Sequence, residues 1–96
     1  MRLLYVVTYD IRDDKRWRRV FKLMRGYGDH LQYSVFRCEL NDRERIELME
    51  KLTKAIRHDQ DQVLMFPLGP AGGQREVNVH ALGMEYRRSP HEAVIV

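Results

Sequence analysis

The sequence predicts a single α+β domain in which two helices cover one face of an antiparallel sheet. Three observations lead to this fold class. Apolar runs rich in β-branched and aromatic residues alternate with two segments of helical periodicity. The 96 residues have the length of one domain, and no repeat, low-complexity segment or long linker divides them. The apolar fraction of 44% is ordinary for a globular protein, so we expect residues 1–96 to form one domain.

The first predicted strand is the most apolar part of the chain. It runs from Leu3 to Tyr9, carries no charge and is rich in β-branched and aromatic residues. This composition is typical of a strand that is buried on both faces in the middle of a sheet. Asp10 follows at its C-terminal end, ahead of a helix that is rich in arginine. The sequence thus places a candidate metal ligand beside candidate phosphate-binding side chains.

The first helix is predicted to be capped by Asp13 or Asp14 and to run to about Arg25, where Gly26 ends it. An apolar stripe follows the i, i+3, i+4, i+7 spacing of a buried helix face and consists of Trp17, Val20, Phe21 and Met24. Lysine and arginine side chains occupy the opposite side and the flanks of the same helix.

The middle of the chain predicts one strand and a second helix. The strand is expected from Leu31 to Glu39, where side chains alternate in character. Asn41 and Glu44 then have the spacing of a capping box, from which the helix is expected to run to about Arg57. Its inward face is predicted to consist of Ile46, Met49, Leu52 and Ile56.

Two further strands are predicted on either side of a glycine-rich loop at residues 69–73. One runs from Gln62 to Leu68 and is closed by Pro67, and the other runs from Arg75 to Leu82. We interpret the order of elements as β-α-β-β-α-β, the ferredoxin-like arrangement. Both helices then lie on one face of the sheet, and the other face needs cover.

The C-terminal tail suggests what provides that cover. After a polar stretch at residues 87–92, the chain ends in the apolar, β-branched residues 93–96. Such a terminus is an unusual thing to leave in water. It can add a strand to its own sheet or to the sheet edge of a partner subunit, and we favour the partner. We therefore predict a homodimer in which residues 83–96 form an arm for dimerisation.

Positive charge is concentrated near the N-terminus. Residues 1–25 hold eight Lys or Arg against three Asp, whereas the remaining 71 residues hold nine against eleven acidic residues. Clustered positive charge indicates an anionic partner, most simply nucleic acid, although a solvated helix face gives the same pattern. The candidate nucleic-acid-binding residues are Arg12, Lys15, Arg16, Arg18, Lys22, Arg25 and Arg37.

The location of the protein is predicted from what the sequence lacks. No apolar stretch approaches the roughly 20 residues of a membrane span, and the N-terminus does not have the pattern of a cleavable signal. The single cysteine, Cys38, excludes an internal disulfide and fits a reducing compartment. We expect a cytoplasmic protein that does not associate with a membrane.

Three segments in this order resemble one known family. They are Tyr9-Asp10-Ile11 with two further aspartates behind it, Gly26-Tyr27-Gly28 at the end of the basic helix, and Gln32-Tyr33-Ser34-Val35-Phe36. The chain resembles the CRISPR-associated Cas-two family, whose members act beside the Cas-one integrase in spacer acquisition. The resemblance covers essentially the whole chain, including its length and its apolar tail.

This resemblance implies a symmetric dimer of ferredoxin-like subunits and a magnesium-dependent endonuclease activity on RNA or DNA. Asp10 matches the position of the metal-binding aspartate. Tyr9, Ser34 and Phe36 match positions that line the same cleft, and Arg19 matches a basic position of the first helix. The sequence departs from the family where Arg37 follows Phe36, since an acidic residue is common at that position.

A lone aspartate is a poor site for Mg²⁺, which takes six oxygen ligands and usually one or two carboxylates. A two-fold axis near Asp10 would supply a second copy. Two carboxylates about 4 Å apart repel by roughly 4 kcal/mol at an effective dielectric constant of 20, and a shared divalent cation relieves that repulsion. We therefore predict one Mg²⁺ ion shared by Asp10 of both subunits.

Two alternatives stay open at this point. The protein can instead be a non-catalytic DNA-binding adaptor that bridges integrase dimers through its basic helix. Asp10 can instead be a turn or capping residue that accepts hydrogen bonds from nearby backbone amides.

Overall fold

The computed structural model describes residues 1–72 and 79–87. Its elements are β1 (Leu3–Asp10), α1 (Asp14–Arg25), β2 (Gly28–Gln32), β3 (Val35–Leu40), α2 (Asp42–Ala55) and β4 (Gln62–Pro70). The four strands form one antiparallel sheet in the order β2-β3-β1-β4. The predicted ferredoxin-like order is therefore confirmed. Neither of the two helices in these ranges is long and apolar enough to cross a membrane.

The second and third strands correct one sequence prediction. A single strand from Leu31 to Glu39 is wrong, because the chain turns at Tyr33 and Ser34 and pairs β2 with β3 as a hairpin. The turn contains none of the Gly, Pro, Asn or Asp residues that mark hairpins in a sequence. The residues on either side of it therefore have the sequence pattern of one continuous strand. This hairpin supplies the two consecutive strands that the ferredoxin-like order requires.

The region after β4 differs from the sequence prediction as well. Of the strand predicted from Arg75 to Leu82, residues 79–82 are in no strand, and the others lie outside the described residues. β4 extends to Pro70, two residues beyond its predicted end. Of the predicted dimerisation arm, residues 83–87 are exposed and in no strand, and the apolar residues 93–96 lie outside the described residues.

β1 occupies the middle of the sheet, as its apolar composition predicts, between β3 and β4. Tyr5, Val7 and Tyr9 are buried in the core that the helices cover. Val6 and Thr8, which alternate with them, are only half-buried. Burial on both faces is therefore incomplete within one chain, because both helices pack on the same side of the sheet.

The core lies between the helices and one face of the sheet. Its fully buried members include Val7, Val20, Met24, Phe36, Cys38 and Leu48. Burial raises the pKa of the Cys38 thiol to about 12, so this cysteine is an inert core residue at neutral pH. Gly28 packs against it so closely that a Cβ there would lie 2.4 Å from Cys38 Sγ.

The start of α2 is confirmed in detail. Asn41 Oδ1 accepts a hydrogen bond from Glu44 N–H at 2.8 Å, and Glu44 Oε1 accepts one from Asn41 N–H at 2.9 Å. These reciprocal bonds are the predicted capping box. The helix ends at Ala55, two residues before the predicted end at Arg57.

The inward face of α2 was assigned wrongly in part. Leu52 is buried as predicted, but its buried companions are Leu48 and Ala55. Ile46 and Met49, predicted to face inward, are 51% and 46% exposed. Two apolar stripes overlap on this helix, and the sequence alone does not show which one the sheet covers.

Candidate nucleic-acid interface and metal position

Asp10 lies where the sequence predicts it, at the C-terminal end of the central strand. It is exposed and pairs in register with Gln62 at the start of β4. Because side chains alternate along a strand, Asp10 follows Tyr9 onto the face of the sheet that the helices leave uncovered. Among the described residues, no ion pair or side-chain hydrogen bond involves its carboxylate. Asp10 is therefore open to an external cation.

A second carboxylate, Asp61, organises the backbone around this strand end. Its side chain is fully buried and receives the Arg16 Nε–H at 2.8 Å and the Arg16 Nη2–H at 3.2 Å. It also accepts the backbone N–H of Arg12 at 3.0 Å and of Arg57 at 2.9 Å. The Arg16 guanidinium, helped by these two backbone N–H groups, holds the pKa of Asp61 far below its usual range.

Sequence analysis missed Asp61, although one signal was available. An aspartate directly precedes an apolar strand, and that strand pairs with the one that ends at Asp10. Its partners Arg16 and Arg12 lie 45 and 49 residues away along the chain, so no local pattern reveals them. Asp61 ties together the loop after β1, the helix α1, the end of α2 and the start of β4.

Partners in the same chain therefore occupy the Arg16 guanidinium. Besides the two bonds to Asp61, its Nη2–H donates to Gln60 Oε1 at 3.0 Å. A bidentate arrangement of this kind fixes the guanidinium and balances its charge. The predicted role of Arg16 in binding nucleic acid stays a prediction, and the geometry instead gives it a structural role.

The other basic residues of α1 and of the loop before it are arranged differently. The exposed ones are Arg12, Lys15, Arg18, Arg19 and Lys22. Arg25 is half-buried, and its guanidinium carbon lies 5.8 Å from the centre of the Phe21 ring. The structure thus brings five predicted cations, Arg19 among them, to the surface of one helix and the loop before it.

Arg37 is placed apart from these residues. It lies on β3, is buried, and pairs with Asp29 at 3.5 Å and with Glu39 at 2.9 Å. Its departure from the family pattern therefore adds an internal ion pair on the sheet instead of an exposed charge. The geometry does not favour a contact between Arg37 and phosphate.

The predicted cleft residues Tyr9, Ser34 and Phe36 come together on the helix side of the sheet. Phe36 is fully buried, and its ring centre lies 6.2 Å from that of Tyr9. Burial raises the pKa of the Tyr9 phenol above its usual range, and in the described part of the chain its hydroxyl has no hydrogen-bond partner. Tyr9 is thus a neutral core residue at physiological pH and a poor general base.

An aromatic stack connects the β2–β3 turn to α1. The ring centres of Tyr33 and Trp17 are 4.7 Å apart with planes inclined by 25°, and those of Trp17 and Phe21 are 5.1 Å apart at 17°. Trp17 Nε1–H donates to Ser34 Oγ at 2.9 Å. Ser34, predicted as a cleft residue, therefore orients the indole in this structure.

Asp10 does not belong to a cluster of metal ligands within the described part of the chain. Within residues 1–72 and 79–87, no group of three His, Cys, Asp or Glu side chains is arranged to hold a metal ion. An exposed carboxylate without an internal partner does fit Mg²⁺, which completes its shell with water and phosphate oxygens. The donor set therefore fits magnesium when a second carboxylate comes from another subunit.

Comparison with known proteins gives consistent matches. The family model described as CRISPR associated protein Cas2 matches residues 1–75. A protein of Rhodospirillum rubrum named CRISPR-associated endoribonuclease Cas2 1 is 45% identical over 92 residues, covering 96% of this chain and 89% of its own. The Geobacter sulfurreducens protein named CRISPR-associated endoribonuclease Cas2 is 45% identical over 97 residues and covers both chains completely.

Solved structures agree with these sequence matches. A hypothetical protein from Thermus thermophilus superposes with a TM-score of 0.75 at 32% identity, covering 91% of this chain and all of its own. The crystal structure of Streptococcus pyogenes Cas2 at pH 6.5 gives a TM-score of 0.65 at 34% identity, covering 69% and 86% of the two chains.

Proposed function

The chain belongs to the CRISPR-associated Cas2 family, and on this premise we propose that it is a magnesium-dependent endonuclease that hydrolyses phosphodiester bonds. Two observations support this most directly: Asp10 is exposed and has no ion pair or side-chain hydrogen bond among the described residues, and five exposed cations follow it in the next loop and helix. Its relatives from Rhodospirillum rubrum and Geobacter sulfurreducens are named endoribonucleases, which favours RNA as the first substrate to test.

The proposal includes a homodimer that joins two subunits through the uncovered face of the sheet. Leu64 and Phe66 of β4 are 43% and 46% exposed on this face, and Val6 beside them is half-buried. Register pairs Val6 with Phe66, so these side chains form one apolar surface. Because Asp10 lies on the same face, a two-fold axis that passes near it would bring two Asp10 carboxylates towards each other.

Each group in the proposed site has a separate task. The bound Mg²⁺ would polarise the scissile phosphate and lower the pKa of the attacking water. The two Asp10 carboxylates would hold the ion, and the exposed arginines and lysines of α1 would bind the flanking phosphates. Asp61 would keep the loop between Asp10 and α1 in place through its bond to Arg12 N–H.

The test is cleavage of labelled single-stranded RNA and double-stranded DNA while Mg²⁺ is titrated. We expect Asp10→Ala to lower cleavage at least about 100-fold, because the metal loses its carboxylates while the exposed site leaves the fold unchanged. Asp14→Ala is the matched control, since Asp14 is also exposed and only four residues away. Equal cleavage by wild type and Asp10→Ala would assign the activity to a contaminant and reject the proposal.

The adaptor role is supported by a different observation, namely the row of exposed cations itself. These residues suit the backbone of duplex DNA without reading its sequence. Binding should then weaken with salt, with log K falling by about 0.9 per phosphate neutralised for each unit of log salt concentration. If Asp10→Ala leaves duplex binding and spacer acquisition intact, the adaptor role with the Cas-one integrase replaces catalysis as the main function. A cytoplasmic location is part of either proposal.

A further inference from the structure

The outer ring of the aromatic stack has one covered face and one open face. Tyr33 is 74% exposed at the tip of the β2–β3 turn, although its ring packs on Trp17 at 4.7 Å between centres. Most of the Tyr33 side chain is therefore in water. The open face is large, flat and apolar, which are the properties of a surface on which another ring can stack.

The turn that carries this ring is held in place from three sides. Tyr9 N–H donates to Ser34 O at 3.2 Å, Trp17 Nε1–H donates to Ser34 Oγ at 2.9 Å, and His30 Nε2 lies 3.3 Å from Tyr33 O. Stacking on a surface that is already ordered does not require the turn to become ordered on binding. The Tyr33 ring is therefore presented in a fixed orientation.

The turn that carries Tyr33 connects the end of the sheet at Asp10 with the basic helix α1. β1 and β3 pair with Thr8 opposite Val35, and the bond from Tyr9 to Ser34 continues this register. The turn therefore lies at the end of the sheet where β1 ends in Asp10. Trp17 also anchors the stack to α1, whose neighbouring surface carries exposed cations, including Arg18.

We propose that Tyr33, backed by Trp17, is a base-stacking subsite for an unpaired nucleotide of the bound nucleic acid. In the interior of a duplex both faces of each base are occupied by neighbouring base pairs, so only a single-stranded, terminal or frayed base can stack on the ring. The inference rests on the proposed action on nucleic acid and adds to it a contact that favours unpaired bases. It makes Tyr33 a specificity-determining residue, separate from the metal position.

The test measures binding without cleavage, by fluorescence anisotropy with full-length protein and EDTA. The probes are a labelled single-stranded RNA oligonucleotide, the same backbone with abasic sites, and a duplex of equal length. Wild type should bind the intact strand about 5- to 150-fold more tightly than the abasic strand, the range expected for stacking of one base. Tyr33→Ala should remove this difference, whereas Tyr33→Phe should keep it because the ring remains.

Duplex binding supplies the control. It should change less than about twofold in Tyr33→Ala, because phosphate contacts alone carry it. Equal affinity of wild type for intact and abasic strands, or an intact-strand preference that survives in Tyr33→Ala, would overturn the inference. A loss of the dimer in Tyr33→Ala, measured by sedimentation, would also overturn it by showing that a second subunit covers the ring. No readout depends on hydrolysis, so a failure of this inference can be distinguished from a failure of the proposed nuclease activity.

Discussion

At the scale of single residues, the contrast between Asp10 and Asp61 shows how one chain uses the same side chain in two ways. Asp10 is exposed and has no internal partner among the described residues. Asp61 is buried and accepts hydrogen bonds from the Arg16 side chain and from two backbone N–H groups. Burying a carboxylate is costly unless it is paired and fully hydrogen-bonded, and Asp61 meets both conditions. Asp61 thus stabilises the end of the sheet at which Asp10 is exposed.

We expect Asp61→Asn to lower the free energy of unfolding by about 3 kcal/mol at pH 7, because it leaves the Arg16 guanidinium without its counter-charge. The pKa of Asp61 is lowered in the folded state, so its contribution is present above about pH 4 and is lost as the pH falls further. The stability difference between wild type and variant should therefore shrink between pH 7 and pH 3 in urea denaturation.

Asp59→Asn is the matched control for this prediction. Asp59 is two residues away, is 71% exposed and lies 3.6 Å from Arg57. Removing such a surface charge should change stability by less than about 0.5 kcal/mol at either pH. Equal effects of the two substitutions would show that Asp61 has no special structural role.

At the scale of secondary-structure elements, the helix starts could be predicted because their signals are local. The Asp13 cap and the box formed by Asn41 and Glu44 depend on residues three apart in sequence. The burial of Leu48 instead of Met49 could not be predicted, because it depends on which side of α2 meets the sheet. The turn at Tyr33 was missed for a related reason, since long-range bonds hold it and it contains no Gly, Pro, Asn or Asp.

The corrected orientation of α2 predicts a difference between two neighbouring apolar residues. Leu48→Ala should destabilise the protein by about 3 kcal/mol, because Leu48 is fully buried and its truncation leaves a cavity. Ile46→Ala should cost less than about 1 kcal/mol, because half of Ile46 is already in water. Thermal unfolding of both variants measures the difference. A larger loss of stability in Ile46→Ala than in Leu48→Ala would show that the inward face is the one that the sequence predicted.

At the scale of the whole molecule, the two faces of the sheet have different roles. One face packs on both helices and forms the core. The other carries Leu64 and Phe66 in an exposed apolar surface, together with the buried ion pair of Arg37 and Asp29. An exposed, contiguous apolar surface on a sheet face usually marks a site of interaction with another molecule. The proposed homodimer explains why this face of the sheet has no covering layer within one chain.

If this face joins two subunits, Phe66→Glu should convert the dimer to monomer at micromolar concentration, because a charge would be buried at its centre. Sedimentation velocity measures the change. Ile46→Glu introduces the same charge at a comparably exposed apolar residue on α2 and should leave the dimer intact. A dimer that persists in Phe66→Glu would place the interface elsewhere.

The buried thiol of Cys38 has a practical consequence for spectroscopy. It is the only cysteine in the sequence, it is fully buried, and its pKa is raised to about 12. Alkylating reagents act on thiolates that they can reach, so the native protein should resist them at neutral pH. A cysteine introduced by Asp14→Cys would then carry a spin label alone, without replacement of Cys38. Pulsed electron resonance on the labelled protein reads the distance between the two α1 helices of an assembled pair directly in solution.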